Sequence, residues 1–235
     1  MTRRTPACRG RFGRRWLLAI VAAALLLGSG VGVAASLGVT SSNLTTATIV
    51  AAVPISTCTL TSSADSHVEQ DDSGSNFGTA TSLHVQSYET TIVVITTHRN
   101  RRSFVKFDLS SCSIPAAAAV QSATLSVFLS VAPSASRTWN INRVTAAWTE
   151  NVITWSNQPA STSSTSVVTG TTSNVTLQAT VTSDVQSFVS GGLTNNGWLF
   201  RDSVEDSSTQ RSGQFRSREF GTPAQRPSLV VNYYP

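Results

Sequence analysis

Short apolar alternations recur from residue 64 onward between clusters of Gly, Pro, Asn and Ser, and a two-residue period of this kind predicts strands. The clearest run is 123–131, where Leu125, Val127, Leu129 and Val131 alternate with Thr124, Ser126, Phe128 and Ser130. One face of such a strand packs and the other is partly wet. Residues 103–109 repeat the pattern, with Val105, Phe107 and Leu109 on one side and Phe104, Lys106 and Asp108 on the other. Further strands are expected at 138–148, 197–202, 213–218 and 228–234, and shorter ones at 67–69, 83–87, 92–97 and 175–179. About ten antiparallel strands need two sheets or a barrel. The only helical piece is 183–192, where Ser183 or Asp184 could cap, Val185, Phe188 and Val189 line one face, and Gly191-Gly192 stop the turn. Pro133, Pro159, Pro223 and Pro227 all fall between predicted strands, as the missing backbone donor requires.

The N-terminal pattern is different. Six arginines (Arg3, Arg4, Arg9, Arg11, Arg14, Arg15) precede an uncharged stretch from Trp16 to Val39, with Gly28 to Gly32 breaking the apolar run and Val33-Ala34-Ala35 supplying small residues. This reads as a secretory signal over 1–35, or as a retained single-pass anchor, and both place the rest of the chain outside the cytoplasm. Residues 36–62 are uncharged and rich in Ser, Thr and Ala, an extended linker or an edge strand, and 63–235 form the folded domain.

That topology changes the meaning of charge and cysteine content. The chain has 17 Lys+Arg, of which Lys106 is the one lysine, and 12 Asp+Glu; without the six N-terminal arginines the remainder has 11 basic against 12 acidic groups. A domain this close to neutral lacks the basic footprint of a nucleic-acid binder. With Cys8 on the cytoplasmic side or in the discarded peptide, Cys58 and Cys112 remain, and two cysteines in an oxidising compartment pair.

Several blocks, in order, are familiar: Asp65 heading a strand, Asn76-Phe77-Gly78, the run from Arg101 to Leu109, the segment from Trp148 to Pro159, and FRSRE followed by PSLVVNY. Over residues 64–234 the chain resembles the DNRLRE domain, also called carbohydrate-binding module family 96. The resemblance implies a jelly-roll-like antiparallel β-sandwich in an exported protein. Some members are similar to modules that bind alginate and other acidic polysaccharides.

The residues themselves offer little for catalysis. The domain's histidines are His67, His84 and His98, with no GxSxG, HExxH, P-loop or dinucleotide turn around them. Asp108, Glu150, Asp202 and Glu219 could pair as glycosidase carboxylates, but structural ion pairs are the default for them. No cofactor is expected. Asp71, Asp72 and Asn76 offer clustered oxygens that suit either a structural calcium or an ordinary turn.

Sugar binding needs flat aromatic faces and planar donors. Trp148 and Trp155 flank a turn and read as a packed corner, whereas Trp139, following Ser134 to Ser136 and Arg137, reads as a surface platform. Alternation puts Gln214, Arg216 and Arg218 opposite Phe215 and Ser217. Arg218 and Arg102 are expected in ion pairs with Glu219 and Asp108. Arg216 and Arg201 are free to bind uronate carboxylates, with Trp139 stacking against the sugar on the same sheet face. The reading is a non-catalytic, exported polysaccharide binder at the cell surface or in the extracellular matrix. It touches no nucleic acid, and meets membrane only through an uncleaved N-terminus. A structural surface or filament subunit is the alternative.

Overall fold

The computed structural model describes residues 54–235; the expected export signal and most of the 36–62 stretch lie outside the described residues. Among the described residues thirteen strands and one α-helix are formed: β1 (Ser56–Thr61), β2 (Ala64–Glu69), β3 (Ser82–Ser87), β4 (Glu89–Ile92), β5 (Ile95–His98), β6 (Arg101–Lys106), β7 (Ala119–Val131), β8 (Thr138–Val144), β9 (Ser161–Val168), β10 (Val175–Thr180), α1 (Thr182–Val189), β11 (Trp198–Asp202), β12 (Arg211–Arg216) and β13 (Ser228–Tyr234). Every pairing is antiparallel. The main sheet runs β1-β13-β7-β12-β3-β6-β11-β8-β9, with β10 on β7 and β2 on β6. It curls so that its two halves face each other, the all-β sandwich that the alternation predicts.

Side chains that alternate inward from both halves make the core. Leu125, Val127 and Leu129 of β7 and Phe215 of β12 meet Trp139 and Ile141 of β8 and Trp198 and Phe200 of β11 in one buried cluster. Phe200 and Phe215 touch across the layers with ring centroids 5.2 Å apart. Gly213 is required here: a Cβ on it would lie 2.6 Å from the Trp139 indole. Trp139 is 1% exposed and therefore presents no face to a ligand, which corrects its surface assignment. The Ser-rich turn before it is exposed, but the strand it enters points the indole inward.

Other elements depart from the pattern for local reasons. β1, inside the stretch read as linker or edge strand, pairs along its length with β13 as an edge strand of the sheet. Cys58 of β1 is bridged to Cys112, Cα atoms 5.9 Å apart, tying this edge to the turn after β6. Closing a loop of 54 residues restricts the unfolded chain by about 4 kcal/mol. β9 has no sequence signal because both its faces are Ser/Thr and mostly exposed. The segment 92–97 is a hairpin, not one strand; Val93 and Val94 turn between β4 and β5, Val93 in the left-handed region, and Ile92 to Ile95 stay exposed. Asp184 does not cap α1. It is buried, and accepts from the Trp198 indole (2.8 Å) and Arg143 (3.0 Å).

The strand expected over 138–148 stops at Val144. The chain then crosses the outer face of the second half-sheet, made of β2, β6, β11, β8 and β9, where Ile153 joins Val68, Phe104, Val144 and Leu199 in a smaller apolar cluster with Trp148 and Trp155 packed on it. Trp148 donates its indole N–H to the Asn196 carbonyl (2.8 Å). Among the described residues no helix is long and apolar enough to cross a membrane.

Candidate functional site

The part of that outer face left open carries the predicted arginine. Phe200 points into the core, so Arg201 points out, and its register partner on β8 is Asn140, whose partner on β9 is Ser166. On the other side Phe200 is opposite Ser103, which places Arg102 on the same outer face. Arg102, Arg201, Asn140 and Ser166 thus form a polar row across four adjacent strands, about 14 Å long at the usual strand spacing.

The two arginines in this row differ. Arg102 is held: it donates twice to Glu205 (2.7 Å each) and once to Gln158 (3.1 Å), and its guanidinium lies 4.4 Å from the centre of the Trp155 ring. Its partner is Glu205, not the expected Asp108, whose carboxylate instead caps the 3-10 turn at Ser110. Arg201 makes no ion pair among the described residues, and its Nε is buried without a hydrogen-bond partner. Nearby on β8, Asn142 has a buried Oδ1 with no donor. The face therefore carries a guanidinium without an ion pair among the described residues, above a buried unpaired amide oxygen and beside a half-buried tryptophan, and guanidiniums and aromatic rings are groups that bind carboxylates and sugar rings.

Arg216 does not join this row. Phe215 beside it points into the same core as Phe200, so Arg216 leaves the sandwich by the opposite face. Its guanidinium sits 4.0 Å from the Phe220 ring centre, again without an ion pair among the described residues. One ligand-binding surface containing Arg201, Arg216 and Trp139 is thus not formed. Sequence alternation assigns each arginine to a face of its own strand, but which faces coincide depends on how the sheet curls.

The four carboxylates considered for acid–base chemistry also separate. Asp202 is 1% exposed and accepts from Arg137 (2.6 and 2.8 Å), and Asp108 is a turn cap. Glu150 and Glu219 do approach each other, joined by Asp65. Arg218 sits between, 2.6 Å from Glu150 and 3.6 Å from Glu219. Asp65 is pushed up to about 8, by burial first and then by Glu219 and Glu150, against hydrogen bonds from the Arg218 amide and Ser62. The junction is fastened by Asn76, whose amide donates to the carbonyls of Glu150 and Ile153 (2.7 Å each), and a Cβ on Gly78 would run into the Glu150 carbonyl.

Two further residues along β2 lies a second charged cluster that sequence reasoning missed. The ring of His67 stacks between Phe77 (4.4 Å) and His84 (4.5 Å). Arg101 donates to His84 Nδ1 (2.9 Å) and to Glu69 (3.0 Å), and His67 Nε2 donates to Glu69 (3.2 Å). Burial, followed by His67 and Arg101, drives His84 down to about 4. Burial raises Glu69, but the His67 hydrogen bond and the Arg101 charge outweigh it and leave the carboxyl low. The loop considered for calcium is a hydrogen-bonded turn, with Asp72 accepting from Ser75 (2.7 Å) and Asp71 3.7 Å from Arg99.

No curated protein matches the chain. Residues 56–233, from β1 into β13, match carbohydrate-binding module family 96. The match covers most of the chain and the whole sandwich with its polar outer row, and the protein belongs to this family of carbohydrate-binding modules.

Proposed function

We propose that the protein is an exported, non-catalytic module that holds an acidic polysaccharide on the outer face of the second half-sheet, at the row Arg102, Arg201, Asn140 and Ser166. Membership of a carbohydrate-binding family supports the ligand class. The Cys58–Cys112 bridge supports an oxidising compartment. The observation that carries the reading is Arg201: a guanidinium with no ion pair among the described residues, on the outer strand face beside Asn140 and the Trp155-stacked Arg102. A free guanidinium fork binds a carboxylate through two parallel hydrogen bonds. Because the domain is near neutral, attraction for a polyanion comes from this local geometry and not from a general field.

Affinity electrophoresis in gels containing alginate or pectate tests this. Wild type is expected to be retarded, less so in salt, and Arg201→Ala to migrate freely with an unchanged melting temperature. Arg216→Ala, on the opposite face, should behave as wild type. Equal retardation of Arg201→Ala, or none of wild type on any uronate polymer, overturns the assignment.

One observation favours a second reading, a surface or filament subunit: the four aliphatic residues Ile92 to Ile95 at the tip of the β4–β5 hairpin are each at least 70% exposed. Concentration-dependent multimers in sedimentation that disappear in Val93→Ser/Val94→Ser would support it.

A further inference from the structure

Asp65, Glu150 and Glu219 come from the start of β2, the crossing segment after β8 and the turn after β12, and each offers a carboxylate oxygen within 4.8 Å of the other two. Asp65 is 1% exposed. Its Oδ2 accepts from the Ser62 hydroxyl (3.1 Å) and the Arg218 amide (2.8 Å), but its Oδ1 is buried with no partner among the described residues. Glu219 Oε2 is a second buried oxygen in the same condition. Both oxygens of Glu150 are taken, one by the Asp65 amide (2.8 Å) and one by Arg218 (2.6 Å).

Three carboxyl groups face one guanidinium here, and with all three ionised two negative charges would be uncompensated. A buried carboxylate oxygen without a donor is costly, and folds supply a hydrogen bond or a cation. We propose that this junction is a divalent-cation site, with Asp65 Oδ1 and Glu219 Oε2 as the open ligands and Glu150 as the third carboxylate. The donor set is all oxygen, which selects a hard cation. Carboxylates from three separated segments fit the loose geometry of calcium better than the tight octahedron of magnesium. The neighbouring His67–Glu69–His84 group is not such a site. Its imidazoles are stacked nearly parallel, 12° apart, and Arg101 already donates to the His84 nitrogen a metal would need.

Calcium would join β2, the crossing segment and the end of β12, so its binding would appear as folding stability. The test uses the full chain stripped with EGTA, in equilibrium dialysis and thermal unfolding with calcium chloride. One calcium per chain and a melting temperature raised by about 5 °C at saturating millimolar calcium are expected, with a smaller response to magnesium. Asp65→Asn should lose the calcium-dependent rise, Glu219→Gln should weaken binding at least tenfold, and Asp72→Asn in the surface turn should leave both unchanged. Should Asp65→Asn fail to fold, the more exposed Glu219→Gln decides alone. No calcium-dependent rise in wild type, an equal rise in Glu219→Gln, or loss of the rise in Asp72→Asn overturns the site.

Discussion

The two charged clusters on β2 begin from similar parts and end differently. Around Glu69, one carboxylate is met by Arg101 and the His67 ring, and Arg101 also donates to the neutral His84. Around Asp65, three carboxylates share one arginine, and two oxygens are left without donors. Each cluster leaves two buried atoms without partners, but around Glu69 they are nitrogens, His67 Nδ1 and Arg101 Nε, and the carboxylate itself is satisfied; a surplus of buried carboxylate oxygens is complete only with a proton or a cation. Neither an arginine in the cluster nor the number of unsatisfied atoms distinguishes these cases, whereas the kind of atom left unsatisfied does.

Neutralising each carboxylate separates the clusters most sharply. Glu69→Gln strands Arg101 and His67 and should cost about 3 kcal/mol in urea unfolding. Asp65→Asn, measured without metal, removes a surplus acceptor and like-charge repulsion and should cost less than about 1 kcal/mol. Equal costs would erase the distinction.

The next effect is on pH dependence in metal-free protein, where the signs are opposite. His84 is held at about 4 against an ordinary value of 6.5, so the unfolded state binds more protons between these values. Stability from this group is full above pH 6.5 and is lost as pH falls towards 4, by about 3 kcal/mol. Glu69, also lowered, adds to the acid loss. Asp65 is raised from 3.8 to about 8, so the folded state binds the extra proton and its contribution is lost as pH rises through that interval. Stability plotted against pH from 4 to 8 should therefore steepen upward in Asp65→Asn and slope downward in His84→Gln, where the Asp65 loss is left unopposed.

The smallest effect concerns ring stacking. Phe77→Leu keeps an apolar side chain but removes one face of the His67 sandwich, and should cost about 1 kcal/mol while leaving the calcium response of the Asp65 junction intact.

The Asp65 junction also explains why most residues of the blocks that carry the family resemblance lie away from the candidate ligand face, to which those blocks contribute Arg102 and Trp155. Asp65, Asn76, Gly78, Glu150, Arg218 and Glu219 are far apart in sequence and meet in one place, where they hold β2, the crossing segment and the end of β12 together. Arg201 and Asn142, by contrast, lie in unremarkable strands, and only their unpaired atoms among the described residues single them out.

Strand identity in 123–131 was fixed by the sequence alone, because a two-residue apolar period can satisfy only a strand with one buried face. The same local physics gave the antiparallel all-β class and, with topology, the Cys58–Cys112 pairing. It failed for β9, where Ser and Thr on both faces carry no period, and for Trp139, where the polar turn before the strand says nothing about which way the indole points. Whether Arg201 and Arg216 share a surface, and whether Asp65 finds enough donors, depend on contacts between residues far apart in sequence. Those were decided only when the sheet curled, because alternation fixes a side chain relative to its own strand and not relative to the other half of the sandwich.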